Sequence, residues 1–395
     1  MSGRPVRKKN KNPPYFSHEF IISNHGDIVS FVAMIIVMGL LYKGTHSLAS
    51  NFVFIQHNAT DEDNPSTEPM YVPGKRDISV IFFYTMIIVV IHAVLQEYVF
   101  DRIVKKLDLT KVRLGKFNES AHHIVFYALS LFWAIYNIVK ENLIPELSAL
   151  WIGYPHIMLP FWTKAFFIIQ ICYWLHDYPE LYFQRVKKEL YSSRILHASL
   201  YLLGVSMAYV GGLSKLCIVL LIMHYGADLF FHIARTLHYM NYSKIASIFF
   251  TLWNIIFIPV RMACIILPFF VLHYGLGQES NLTIDFISGN YNTPTIRFSV
   301  LLFLFISQVY MVWNFITFHQ RYCRDKSKSL FVCPWFKSFK TPSTNKRKEI
   351  KKVKREEDET SDNPAESSPN NLKEKLGCIL EVRNHLIGNE RQQKQ

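Results

Sequence analysis

From Ile78 to Leu95 the chain carries no Asp, Glu, Lys or Arg, and from Ala246 to Val260 it again carries none. A soluble helix keeps one polar face for water, so blocks this uniformly apolar belong in hydrocarbon. A bilayer core calls for roughly 20 such residues per helix. Eight blocks approach or reach that length: Ile28–Leu48, Ile78–Phe100, Ala121–Val139, Phe161–His176, Ile195–Val210, Leu216–Ile233, Ala246–Leu272 and Thr295–Phe318. The fourth, fifth and sixth are short for an ordinary bilayer, and short spans thin the membrane or pack inside a bundle. Half of the 395 residues are hydrophobic and only 18% are charged, which excludes an ordinary soluble domain. The fold class expected is all-α: a polytopic membrane protein of about eight transmembrane helices.

Charge sets the orientation. Of the net +13, twelve charges sit in two pieces, the residues before Pro13 and those from His319 onward. Lys and Arg gather on the cytosolic side of membrane spans, so both termini are expected there. Loop 101–120 holds Arg102, Lys105, Lys106, Lys111, Arg113 and Lys116, and loops 179–194 and 234–245 are basic too. Loop 49–77 is acidic through Asp61, Glu62, Asp63 and Glu68, while loops 141–160 and 273–294 have no Lys or Arg. The alternation expected of an even number of spans is therefore present. No folded basic domain exists to bind nucleic acid, so no DNA partner is expected. Cys172, Cys217 and Cys264 lie in apolar blocks and Cys323, Cys333 and Cys378 in the C-terminal tail, which argues against a lumenal disulfide framework.

The segments are then a basic cytosolic N-terminus (1–27), two spans with a lumenal loop at 49–77 (28–116), a larger membrane region, and a tail (326–395). The tail is too polar to bury a core and is expected to be disordered. Its run Lys346–Arg355 is read first as solvated, with anionic headgroups or ribosomal RNA as the alternative contact. Sequons at Asn58 and Asn281 fall in lumenal loops and are the candidate glycosylation sites, whereas Asn118 and Asn241 fall on the cytosolic side.

Ionisable groups at membrane depth cost about 2.5–3.5 kcal/mol each, so they seek partners or a wet cavity. His92 and Gln96 share a face near the end of the second span and are read as interfacial. His176, Asp177 and Glu180 close the fourth span, where Pro179 is expected to end or kink the helix. His197 opens the fifth. In the sixth, His224, Asp228, His232 and Arg235 fall on one stripe by their spacing of four, four and three. The stripe is compatible with an internal network, a cavity lining or a metal site, although one helix cannot close a zinc site alone. Arg261, between Pro259 and Pro268 in the seventh span, needs a partner, with Asp228, Asp177 or Glu180 in reach, and the prolines predict a bent, partly unwound helix. The intramembrane polar set is thus His176, His197, His224, Asp228, His232 and Arg261. No phosphate-cradling loop, nucleophile elbow or zinc-binding Cys arrangement is present, and no cofactor is expected.

Six segments in order, SHEFIISNHGDIVS (17–30), HAVLQEYVFDRI (92–103), KFNES (116–120), YWLHDYPELYFQ (173–184), MHYGADLFFHIAR (223–235) and DFISGNYN (285–292), resemble the TRAM family of translocating-chain-associating membrane proteins. Residues 117–325 resemble the TLC domain that TRAM shares with ceramide synthases. The resemblance implies a TLC-type six-helix bundle with a central cavity, in a multi-pass protein of the endoplasmic reticulum membrane. It implies partners as well, the protein-conducting channel with nascent signal sequences and transmembrane segments, to which the basic tail adds the ribosome and the apolar spans add membrane lipid. Short spans with His197, His224, Asp228 and Arg261 would then thin and hydrate the bilayer for incoming segments. The alternative is a TLC-domain lipid enzyme or sensor: a sphingoid-base acyltransferase, or a lipid sensor or carrier that uses the same cavity. Against the acyltransferase, ceramide synthases carry paired histidines where this chain has His197 followed by Ala198. They also carry an Asp where Tyr225 follows His224. A general base without its orienting partners is not a catalyst, so a non-enzymatic protein is expected.

Overall fold

The computed structural model describes residues 14, 17–60, 68–107, 109–143, 146–186, 188–278, 283–285 and 288–332. By its packing the chain divides into Met1–Ser327 and Lys328–Gln395, and the second unit is described only as far as Val332. Asn281, Asp61–Asp63 and the tail from Cys333 onward lie outside the described residues.

Apolar blocks become helices because a backbone in lipid has no water to bond and must satisfy itself within the segment. Two short N-terminal helices come first, α1 (His18–Ser23) and α2 (His25–Met38), with Ser17 capping α1 through its hydroxyl. A 3₁₀ turn at Gly39–Leu41 and extended backbone at Tyr42 separate α2 from α3 (Lys43–Val53). The first span, expected as one helix to Leu48, is therefore two. The break is where the apolar run meets Lys43, Gly44 and Thr45, and the Thr45 hydroxyl donates to the Gly39 carbonyl at 2.7 Å in place of a helical bond.

The second span is α4 (Asp77–Leu95), which passes through a π turn at Gln96–Phe100 into the short α5 (Asp101–Val104). Then follow α6 (Lys111–Lys140), α7 (Phe161–Phe183), α8 (Lys188–Val210), α9 (Ser214–Tyr239), α10 (Ser243–Phe269) and α11 (Pro294–Val332). By length and composition five of these stretches could cross a membrane: Asp77–Val104, Arg113–Lys140, Ser214–Tyr239, Ser243–Gly275 and Pro294–Arg321. The chain is a polytopic all-α membrane protein. Two small strands, β1 (Met70–Tyr71) and β2 (Leu159–Pro160), pair antiparallel and tie loop 54–76 to the start of α7.

Three expectations need correction. The fourth to sixth spans are not short helices, since α7 and α8 have 23 residues each and α9 has 26. At 1.5 Å per residue that is about 35 Å or more, beyond a 30 Å hydrocarbon core. The apolar runs stop at His176, Arg194 and Ile233, but the helices continue because neighbouring helices accept their polar side chains. Pro179 does not end α7, which runs on to Phe183. Likewise α10 stays helical through Pro259 and Pro268 and loosens only afterwards, in a π turn at Phe270–Gly275.

The outer faces are greasy. Phe132 is 75% exposed and Trp313 64%, a pattern that only lipid contact stabilises. α7 is the opposite case, buried along most of its length between α4, α6 and α8. Its polar residues Lys164, Gln170, His176 and Glu180 are buried with it, because protein rather than lipid surrounds them. Among α7, α8 and α9 lies an aromatic core in which Trp174 stacks on Tyr201 at 4.3 Å and Phe126 of α6 on Tyr173 at 3.3 Å.

Candidate functional site

A chain of polar contacts threads the aromatic core. Trp174 Nε1 donates to Tyr225 Oη at 3.1 Å, Tyr225 to Gln170 Oε1 at 2.7 Å, and Gln170 Nε2 to Ser130 Oγ at 2.9 Å. All four side chains are buried or nearly so, and together they join α6, α7 and α9. Each is satisfied by a neighbour, the condition for a polar group at membrane depth.

Arg261 lies at the centre of a second network. Its side chain is 2% exposed, and Nη2 stands 3.2 Å from Asp228 Oδ1. Nη1 donates to His224 Nδ1 and faces Gln308 Oε1 at 3.5 Å and Met311 Sδ at 2.8 Å, while Phe257 lies 4.8 Å below the guanidinium. Tyr201 donates to the other Asp228 oxygen at 3.2 Å. Of the three partners open to Arg261 in the sequence, the structure gives it Asp228. Above this network, an apolar cleft of about 100 Å³ runs between α8 and α11 over α9, lined by Gly204, Leu220, Phe303 and Leu304 and closed at one end by His224 and Gln308.

A third set gathers at the end of the bundle that bears the basic loops. It surrounds a cavity of about 190 Å³ lined by His92, Glu119, His122, His123, Asp177, Glu180, Arg194, His197 and His232 among others. Glu119 is held between Arg194 at 2.9 Å and Arg235 at 3.0 Å. His123 stacks on His232, centroids 4.7 Å apart. His92 is not interfacial as expected: its Nδ1 meets His176 Nε2 at 3.3 Å, its Nε2 meets Glu180 Oε1 at 3.2 Å, and His122 stacks on it at 3.5 Å. His176 Nδ1 donates to the Tyr173 carbonyl, which leaves its Nε2 as the acceptor for His92 Nδ1. The Gln184 amide also stands 3.2 Å from His92 Nε2 and donates to Glu180 Oε1 at 3.0 Å.

The six polar residues singled out in the sequence are thus shared among three places. His197 and His232 line the basic-end cavity, and His176 stands behind it against His92. Arg261, Asp228 and His224 form the central network under the cleft. Among the described residues, no group of three His, Cys, Asp or Glu is placed to hold a metal. His197 touches only ring edges, Trp174 at 5.6 Å and Tyr201 at 5.1 Å, and accepts no hydrogen bond from a described residue. No carboxylate among the described residues bonds it.

Residues 116–317 match the family model described as the TLC domain. Over 319 residues, 81% of this chain and 86% of the relative, the sequence is 36% identical to human translocating chain-associated membrane protein 2, and the mouse protein of that name matches equally. The chain belongs to the TRAM family of TLC-domain proteins. More distant relatives match as well. A sphingosine N-acyltransferase of Saccharomyces cerevisiae is 22% identical over 70% of this chain and 67% of its own length. A tomato stem canker resistance protein is 21% identical over 51% and 70%.

Within this TRAM-family chain the cavity also takes residues not anticipated from the sequence: the adjacent pair His122–His123, which faces it from α6, and Glu119 one turn before. Two histidines in an apolar run were the available signal. Equally unanticipated is Lys164 of α7, 0% exposed, which stands 2.9 Å from Asp77 Oδ1 and donates to the carbonyls of Gln56 and Val72 at 2.8 Å each. Tyr209 donates to the second Asp77 oxygen at 2.7 Å. A lysine this deep in an apolar run is expensive unless paired, so it was a legible sign of a buried partner. Asn58 is exposed, opposite Tyr71 in an isolated bridge.

Proposed function

We propose that this protein is a non-enzymatic accessory of the endoplasmic-reticulum protein-conducting channel, contacting signal sequences and transmembrane segments of nascent chains. The observation that carries the reading is the match to translocating chain-associated membrane protein 2 along most of both chains. The helices supply a physical basis. The bundle offers a cleft between α8 and α11 that is mostly apolar, with polar groups at Tyr201, His224, Ser307 and Gln308. A weakly apolar segment leaving the channel would find there both a greasy wall and a place for a polar side chain, at less cost than open hydrocarbon. This replaces local thinning by short spans, which helices of 23 and 26 residues do not support.

The reading includes eight crossings, with α2–α3 as a broken first crossing and α7 and α8 counted among them. Both termini are then cytosolic, the basic-loop end faces the cytosol, and residues 28–116 precede a TLC region at 117–325. Asn58 and, outside the described residues, Asn281 are the proposed glycan acceptors. The tail is the proposed contact for the ribosome.

Crosslinking tests the contact. A photoreactive residue in the apolar core of a ribosome-stalled signal sequence, in microsomes containing this protein, is expected to give an adduct with it. Adducts with the channel alone would defeat the proposal.

The acyltransferase reading draws on the cavity around His197 and on the yeast relative. Acyl transfer needs a base held on its nucleophile by an orienting group. His197 lacks one here, and Asp228 is engaged by Arg261 and Tyr201. Purified protein given acyl-CoA and a sphingoid base is expected to make no amide, and product lost on His197→Ala would reinstate the enzyme.

A further inference from the structure

At the basic-loop end a larger recess of about 760 Å³ opens between the end of α9, the start of α10 and the later part of α11, with the start of α6 at its rim. Ligand pockets typically run about 300–1,000 Å³. Three cations line it, Lys116, Arg235 and Arg321, and no Asp or Glu among the described residues does. Arg235 is partly spent on Glu119. Lys116 and Arg321 are exposed and make no ion pair with a described residue.

The apolar part of the lining lies deeper. Phe231 is one helical turn inward of Arg235, Phe250 two turns inward from the start of α10, and Phe318 one turn inward of Arg321. These rings form one wall, with Phe318 at 5.9 Å from Phe231 and 5.8 Å from Phe250. Cations at the helix ends and aromatic rings toward the bilayer centre make a two-layer lining. A phospholipid has the same two layers, a phosphate at the surface and acyl chain below it. Basic pockets between transmembrane helices hold anionic headgroups in this way.

We infer that this recess is a binding site for one anionic phospholipid, its phosphate at Lys116 and Arg321 and its chain against Phe231, Phe250 and Phe318. The site is separate from the cleft proposed for client segments and does not depend on that proposal. A phosphate of RNA would meet the same cations, but it would leave the aromatic wall uncovered, so lipid is the occupant the geometry fits.

The test uses the full chain in nanodiscs of phosphatidylcholine with a minor share of phosphatidylinositol, read by native mass spectrometry. Wild-type protein is expected to retain one phosphatidylinositol in preference to phosphatidylcholine. The double variant Lys116→Gln/Arg321→Gln is expected to lose that preference by about thirtyfold, the scale set by two surface cations. Lys116→Arg/Arg321→Lys keeps it. As a reading independent of variants, phosphatidylinositol with brominated chains is expected to quench fluorescence from Trp253, which packs on Phe231 at 4.7 Å and Phe250 at 5.5 Å. Retention in bulk proportion, preference undiminished in the Gln double variant, or displacement by a short RNA would each overturn the inference.

Discussion

The Arg261 guanidinium on α10 and the Asp228 carboxylate on α9 meet at 3.2 Å inside the bundle, between two helices that pack extensively against each other. Breaking such a pair leaves one charge buried and unpaired, which costs about 3–5 kcal/mol. Arg261→Met is therefore expected to lower the unfolding temperature of the purified protein markedly. Arg261→Met/Asp228→Leu should recover most of the loss, because the remaining penalty is not the ion pair but the hydrogen bonds to His224 and Tyr201. A double variant as unstable as the single one would show that the pair is not what Arg261 contributes.

Lys164 fastens the 54–76 loop to α7 through two carbonyls and Asp77. Lys164→Met frees those groups and strands Asp77, a local cost of about 3 kcal/mol or more. Trypsin cleavage at Lys75 or Arg76 should then speed up severalfold while the melting of the rest of the bundle changes less. Unchanged cleavage would mean that the β1–β2 pairing holds the loop by itself.

His156 lies in the 141–160 loop, outside the helices. Burial, and secondarily the charge of Lys215, lowers its pKa from the ordinary 6.5 to about 4. The docked loop thus refuses a proton that a released loop accepts. Its contribution to stability is complete above pH 6.5, declines as pH falls through that value, and stops declining below about pH 4. The melting temperature should fall over this window, and the part due to His156 should vanish in His156→Gln.

Asn58 stands exposed in the loop assigned to the lumen, its side chain accepting from the Thr60 amide at 3.0 Å. Protein made in the presence of microsomes should shift in gel mobility by one glycan at this position. Asn58→Gln should remove that shift, and endoglycosidase should abolish it in the wild type. A cytosolic Asn58 would reverse the assigned orientation.

Helix existence was legible wherever apolar residues ran long, because the bilayer imposes one secondary structure on such runs. Helix ends were not. The α7 run ends at His176 by composition, yet the helix carries on past Pro179 because the α4 and α7 side chains His92, Glu180 and Gln184 satisfy one another. The α9 stripe was legible as a face by its spacing of four, but not its division. His224 and Asp228 turn to Arg261, His232 to His123 and Arg235 to Glu119, since a stripe three turns long meets different neighbours at each level. Lys164, Asp77 and Tyr209 come together from α7, α4 and α8, and no local pattern links residues so far apart in sequence.

Contact between the α8–α11 cleft and a nascent segment is the claim on which the proposed role rests, and a site-specific probe in this chain reads it directly. A photoreactive amino acid at Phe303, in the cleft, is expected to capture a radiolabelled signal sequence in stalled ribosome–microsome complexes. The same probe at Phe132, exposed on α6 and outside the cleft lining, should capture it far less. Equal capture at both positions, or capture at neither while the channel crosslinks to the same chain, would contradict it.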